Sequence, residues 1–156
     1  MDDQEVMSKA LAFEKSFNYR FNDLDLLTGA LVSSGYPNEH KAFVSKYRHA
    51  MLANLGDTVI DVLATEFLIR EKKMTDEGQI TILRNRMVNG ASLNELARPI
   101  LHLLVMTSGE RNEVGCSCIP GEAVEAIVGA MHLDGGLPAA KRFLEMLGFF
   151  EKEYEE

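Results

Sequence analysis

Apolar residues return every three or four positions along most of this chain, and runs that alternate apolar with polar are scarce. That period belongs to helices burying one stripe, so the pattern predicts an all-α domain. Helices are expected over residues 2–17, 23–34, 47–71, 77–89, 92–105, 121–133 and 137–147. Asn22 and Asp23 can cap the second of these, and Gly35, Pro37 and Asn38 break it. The third carries Val59, Ile60, Val62, Leu63, Phe67 and Leu68, apolar around much of its circumference, as a central buried helix requires. Pro99 should kink or split the fifth helix, and 107–120 reads as a loop around Gly109, Gly115 and Pro120. Gly135-Gly136 should end one helix, with Pro138 near the start of the next.

Composition narrows this little. With 156 residues the chain suffices for one domain, expected over 1–150, followed by an acidic tail at 151–156 read as a frayed helix end. No apolar run approaches the ~20 residues that span a bilayer, and the first residues are acidic where a signal peptide is basic. The expectation is a soluble, cytoplasmic protein with no membrane contact. Cys116 and Cys118, one residue apart, read as reduced thiols.

Sixteen basic against 24 acidic residues give a net charge of −8, without the gross footprint of a nucleic-acid binder. Any RNA contact must use local patches, with Lys41, Lys46 and Arg48, then Arg84 and Arg86, then Arg111 as candidates. Each alone reads more simply as a solvated helix face. His40, His49, His102 and His132 match no metal-ligand spacing; His49 reads as a surface residue and His102 and His132 as packed ones. Met51, Met74, Met87, Met106 and Met131 fall mostly at apolar positions and read as core or dimer-seam filling.

Two stretches place carboxylates among apolar neighbours: Asn54-Leu55-Gly56-Asp57, and Gly121-Glu122-Ala123-Val124-Glu125, which runs on to Leu133-Asp134-Gly135-Gly136. Acids so placed must be paired, hydrogen-bonded or bound to a metal. Residues three apart share a helix face, so Glu122 and Glu125 project together, and Gly129 and Ala130 let another helix approach. If Asp57 meets that pair, three hard oxygen ligands converge from two helices, an arrangement that suits Mg²⁺, with Mn²⁺ a possible substitute. The chemistry suggested is phosphodiester hydrolysis. Taken alone, such an acid pair is common on exposed helix faces.

From about Leu11 to Leu147 the chain resembles the catalytic domain of ribonuclease III. The matching stretches are Asn18-Tyr19-Arg20-Phe21 leading into 24–36, Leu55-Gly56-Asp57 with Asp61, Glu77-Gly78 followed by Leu83-Arg84 and Val88-Asn89, Ser108-Gly109-Glu110, and 122–136. The resemblance implies a helical bundle that homodimerises, each subunit using an acidic Mg²⁺ site to hydrolyse one strand of double-stranded or structured RNA. It assigns Asp57 and Glu125 as catalytic metal ligands, with Glu122 a third ligand where the family usually has aspartate. Glu77 matches an accessory acidic position near RNA and metal.

Two family glutamates, four and seven residues before the aspartate, are Ala53 and Ala50 here. Both positions lie on the helix face of Asp57. The smaller relatives called mini-ribonuclease III also have alanine four residues before that aspartate and lack an RNA-binding domain. Relatives that lost catalytic acids persist as dimeric RNA-binding scaffolds, including in mitochondrial ribosomes. The two expectations are therefore a Mg²⁺-dependent endoribonuclease of modest RNA affinity, since no RNA-binding domain follows residue 147, and a catalytically impaired dimeric RNA-binding or ribosome-associated protein. A helical phosphohydrolase acting on nucleotides is a third reading, weakened because such domains usually show His-Asp ligand pairs.

Overall fold

A computed structural model of the protein describes residues 2–151, so most of the acidic tail expected at 151–156 lies outside the described residues. The all-α expectation holds. The helices are α1 (Asp2–Phe17), α2 (Leu24–Leu31), α3 (Tyr36–Glu39), α4 (His49–Arg70), α5 (Glu77–Val88), α6 (Gly90–Leu96), α7 (Ser108–Asn112) and α8 (Ile119–Leu147), with 3-10 segments at Arg98–Leu103 and Val114–Cys116. Among the described residues the only extended pairing is a bridge between Val32 and Val105.

The expected spine is α4, and α8 lies across it. Their backbones touch because two glycines face each other at the crossing. A Cβ on Gly56 would sit 1.6 Å from the Glu125 carbonyl oxygen, and one on Gly129 would sit 2.1 Å from that of Leu52. No residue with a side chain fits either position without forcing the helices apart. Leu52, Ile60, Leu63 and Ala64 from α4 and Val124, Ile127, Val128 and Met131 from α8 are buried in one continuous core. Phe13 and Phe17 of α1 close one end against Phe143, with ring centroids 5.8 and 5.0 Å from it.

Asp23 caps α2 by accepting from the Asp25 amide at 3.1 Å. Pro99 splits the expected fifth helix into α6 and the 3-10 segment that follows. The expected break after α2 occurs, although Pro37 there opens the single turn of α3.

The segment 107–120 is not a plain loop. Thr107 and Glu110 form a capping box that starts α7, with Thr107 Oγ accepting from the Glu110 amide and Glu110 Oε1 from that of Thr107. Glu110 Oε1 also accepts from Ser33 Oγ at 2.7 Å, tying α7 to the end of α2. Helix α8 begins two residues earlier than expected, with Pro120 inside its first turn. It runs in two arms joined at Gly136, whose φ of 77° only glycine adopts readily.

Asp134, at the end of the first arm, is a structural clamp. Its carboxylate accepts from Tyr19 Oη at 2.7 Å, from the Asn22 amide at 3.1 Å and from the Asp23 amide at 3.0 Å. These bonds fix the turn between α1 and α2. Burial, then the hydrogen bond to Asp134, then its charge push the Tyr19 hydroxyl up to about 12.

Candidate active site

The glycine crossing decides where the acids stand. Asp57 follows Gly56 on α4, and Glu125 is the residue whose carbonyl Gly56 touches on α8. Burial, then the charge of Asp57 and the hydrogen-bonding influence of its carboxyl, then the charges of Glu122 and Asp61 push the Glu125 carboxyl up to about 7. Glu122 and Glu125 are half-buried on the same face of α8, whereas Asp57 is exposed.

Asp61 belongs to this cluster, although from the sequence it could stand in for the missing acids but reads more simply as structural. It lies one turn beyond Asp57, and burial and the Asp57 charge raise its carboxyl above the ordinary carboxylate range while Arg84 lowers it. Arg84 is half-buried against α4 and donates from Nη1 to Thr65 Oγ1 at 3.2 Å. It is the basic group that offsets the charge of Asp61. No cation is among the groups that shift Glu125.

Of the other residues singled out from the sequence, Glu77 is exposed in the first turn of α5 and stands apart from the trio. Arg86 is half-buried, with Nη1 buried and without a hydrogen-bond partner. Ala53 is buried, at 7% exposure, and Ala50 is exposed. Neither position carries an acid, so the α4 side of the cluster has Asp57 and Asp61 only. Arg111 donates to the carbonyls of Leu101 and Leu104 at 3.1 and 2.8 Å, which commits it to the end of the 3-10 segment. Lys41, Lys46 and Arg48 are exposed, beside a cleft of 420 Å³ that reaches Arg48, His49 and Ala50.

His49 is buried, not a surface residue, with Nδ1 3.3 Å from the Gly29 carbonyl oxygen. Burial lowers its pKa, against the opposing pull of Glu122. His102, expected to pack, is exposed, and the Nδ1 of His132 is buried without a partner.

The donor set suits a hard divalent cation. It offers only carboxylate oxygens, and its negative charge has accumulated far enough to hold a proton near neutrality. The ligands are not gathered into a cage: among the described residues no three His, Cys, Asp or Glu side chains stand close enough together to hold an ion. A bound cation would offset the repulsion among these acids.

The chain is similar to known proteins along most of its length. The ribonuclease-III-like family model matches residues 23–148. Ribonuclease 3 of Protochlamydia amoebophila is 34% identical over 145 residues, covering 90% of this chain and 59% of its own length. Ribonuclease 3 of Campylobacter jejuni is 33% identical over 147 residues, covering 92% of this chain and 62% of its own. The chain thus spans about three-fifths of the length of these curated relatives. A solved nuclease domain of ribonuclease III from Campylobacter jejuni superposes with a TM-score of 0.70 at 30% identity, covering 95% of this chain and 97% of that one. A second structure of that domain, described for flexibility in a region involved in dimer formation, gives 0.69 at 32% identity over 86% of this chain and 93% of its own. With the family model matching residues 23–148 and relatives about a third identical along most of it, the chain belongs to the ribonuclease-III-like family.

Proposed function

We propose that this chain is a Mg²⁺-dependent endoribonuclease domain that hydrolyses phosphodiester bonds of double-stranded or structured RNA in the cytoplasm, working as a homodimer. The observation that carries the reading is the half-buried acid cluster around Glu125, where burial first and then the charges of Asp57, Glu122 and Asp61 raise its pKa. Such a cluster is a poor stabiliser and a good cation trap. Asp57, Glu122 and Glu125 would hold the ion, and Mn²⁺ would serve in place of Mg²⁺. When bound, the ion supplies a water of lowered pKa and stabilises charge on the phosphodiester.

The chain's own residues supply the frame. Gly56 and Gly129 keep Asp57 and Glu125 in register, and Arg84 steadies Asp61 from α5. Exposed Glu77, with Arg84 and Arg86 further along α5, borders the RNA path in this reading. The duplex is read by shape through backbone and 2′-hydroxyl contacts, with affinity that falls as salt rises. The surface for the second copy is a stripe of α4 on which Met51, Val62 and Ile69 are 50%, 47% and 49% exposed. These residues share one side of α4, about a third of a turn round the helix from Asp57. No helix among the described residues is long and apolar enough to cross a membrane.

A second reading has a specific observation in its favour. Alanine at positions 50 and 53, with no three ligands gathered, fits a catalytically impaired dimeric RNA-binding or ribosome-associated protein. Incubation with duplex RNA and Mg²⁺ separates the two. The enzyme reading expects cleavage that falls about a thousandfold in Glu125→Ala, within the range for loss of a catalytic acid or base. Cleavage seen only after Ala53→Glu, or not at all, favours the impaired protein. Sedimentation should give a dimer that Val62→Asp converts to monomer; an unchanged sedimentation pattern would locate the interface elsewhere.

A further inference from the structure

We infer that Asn94 is a positioning residue: it seats the first turn of the helix that carries Glu122 and Glu125, and so sets where those carboxylates stand relative to Asp57. The inference rests on the metal-site reading above. Helix α8 starts without a side-chain cap of its own, because Cys118 occupies the capping position and makes no such bond. The Ile119 amide reaches Ser117 Oγ only at 3.4 Å, and Pro120 has no amide hydrogen. The Gly121 amide is then the donor that most needs an acceptor, since unpaired amides at a buried helix end are costly.

Asn94 supplies that acceptor from α6, 27 residues away, with Oδ1 2.8 Å from the Gly121 nitrogen. Its other end is also held, since Nδ2 donates to the Ser117 carbonyl oxygen at 3.1 Å. Together the two bonds fix the amide's orientation and tie it to both sides of the helix start. Gly121 makes the approach possible, because a Cβ there would lie 2.9 Å from Asn94 Oδ1 and 3.1 Å from Leu93 Cβ. Glu122 is the next residue, and Glu125 follows one turn on. Any slide or rotation of this turn moves Glu122 against Asp57 directly, and bears on Glu125, whose backbone also meets Gly56 at the crossing that holds Asp57.

The test is calorimetric Mn²⁺ binding with thermal unfolding, on the full chain and on Asn94→Ala, Asn94→Asp and Thr107→Ala. Asn94→Ala should weaken Mn²⁺ binding by about tenfold, the low end for loss of a supporting contact, whereas Asn94→Asp keeps an acceptor for Gly121 and should stay within about twofold of the parent. Thr107→Ala removes a cap on α7 and should lower the unfolding midpoint without changing Mn²⁺ affinity. Unchanged affinity in Asn94→Ala, or an equal loss in Thr107→Ala, overturns this inference alone. If Asn94→Ala does not fold, a tenfold loss in Asn94→Asp overturns it. A parent chain that takes up no Mn²⁺ overturns the metal-site reading and this inference with it.

Discussion

Asp134 and Glu125 stand nine residues apart on the first arm of α8, and their surroundings are opposite. Asp134 faces donors: a tyrosine hydroxyl and two backbone amides converge on its oxygens. Glu125 faces acids, and its burial first, then the charges of Asp57, Glu122 and Asp61, push it up to about 7. One carboxylate is satisfied by the protein and holds a turn in place. The other is left unsatisfied and is offered to something outside the chain. Spacing and burial alone do not separate these cases; what faces each oxygen does.

The sharpest way to break this comparison is to remove each acid and ask what is lost. Asp134→Ala strands the donors of Tyr19, Asn22 and Asp23 and should cost about 2–3 kcal/mol of stability in urea unfolding, the partial exposure of the turn keeping the figure down. Mn²⁺ affinity should survive it. A stability loss below about 0.5 kcal/mol, within the range of an ordinary surface change, would deny the clamp. Tyr19→Phe deletes one donor to the same carboxylate and should cost about 1 kcal/mol by the same measurement. If it costs as much as Asp134→Ala, the backbone amides contribute nothing.

Glu125→Gln should act with the opposite sign. The folded-state pKa is about 7 against an ordinary 4.5, so the folded protein holds the proton more tightly than the unfolded chain does. Stability of the metal-free protein therefore falls as pH rises from 4.5 to about 7, and Glu125 carries its full penalty above that. Glutamine has no such penalty. The melting temperature of Glu125→Gln should exceed that of the parent at pH 8, with the gain fading as pH drops below about 5. A variant that melts lower at pH 8 would show that the carboxylate is a net stabiliser and not a vacant ligand.

Much of the fold was legible because periodicity and punctuation agree with the packing. Helices α1, α2, α4 and α5 fall close to their expected ranges, and Pro99 and Gly136 break the chain where their backbone chemistry requires. Helix α7 has a readable signal in the spacing of Thr107 and Glu110, a capping box set among glycines that favour a loop. His49 was misplaced because neighbouring Lys46 and Arg48 suggest a surface, while its own ring turns in toward Gly29. The candidate site was only partly legible. The spacing of Glu122 and Glu125 shows a shared face, but the partner on the other helix depends on the crossing at Gly56 and Gly129, which no local pattern reveals. Asp61 joins the cluster for the same tertiary reason, and Arg111 leaves the list of RNA contacts because a nearby pair of carbonyls captures it.

The claim that these acids form one coupled cation site is tested most directly by following the Glu125 side-chain carboxyl by carbon-13 NMR as pH is varied, with and without Mg²⁺. The account predicts a midpoint near 7 in the metal-free protein, displaced downward when Mg²⁺ is added. A midpoint at the ordinary 4.5, unmoved by Mg²⁺, would contradict it.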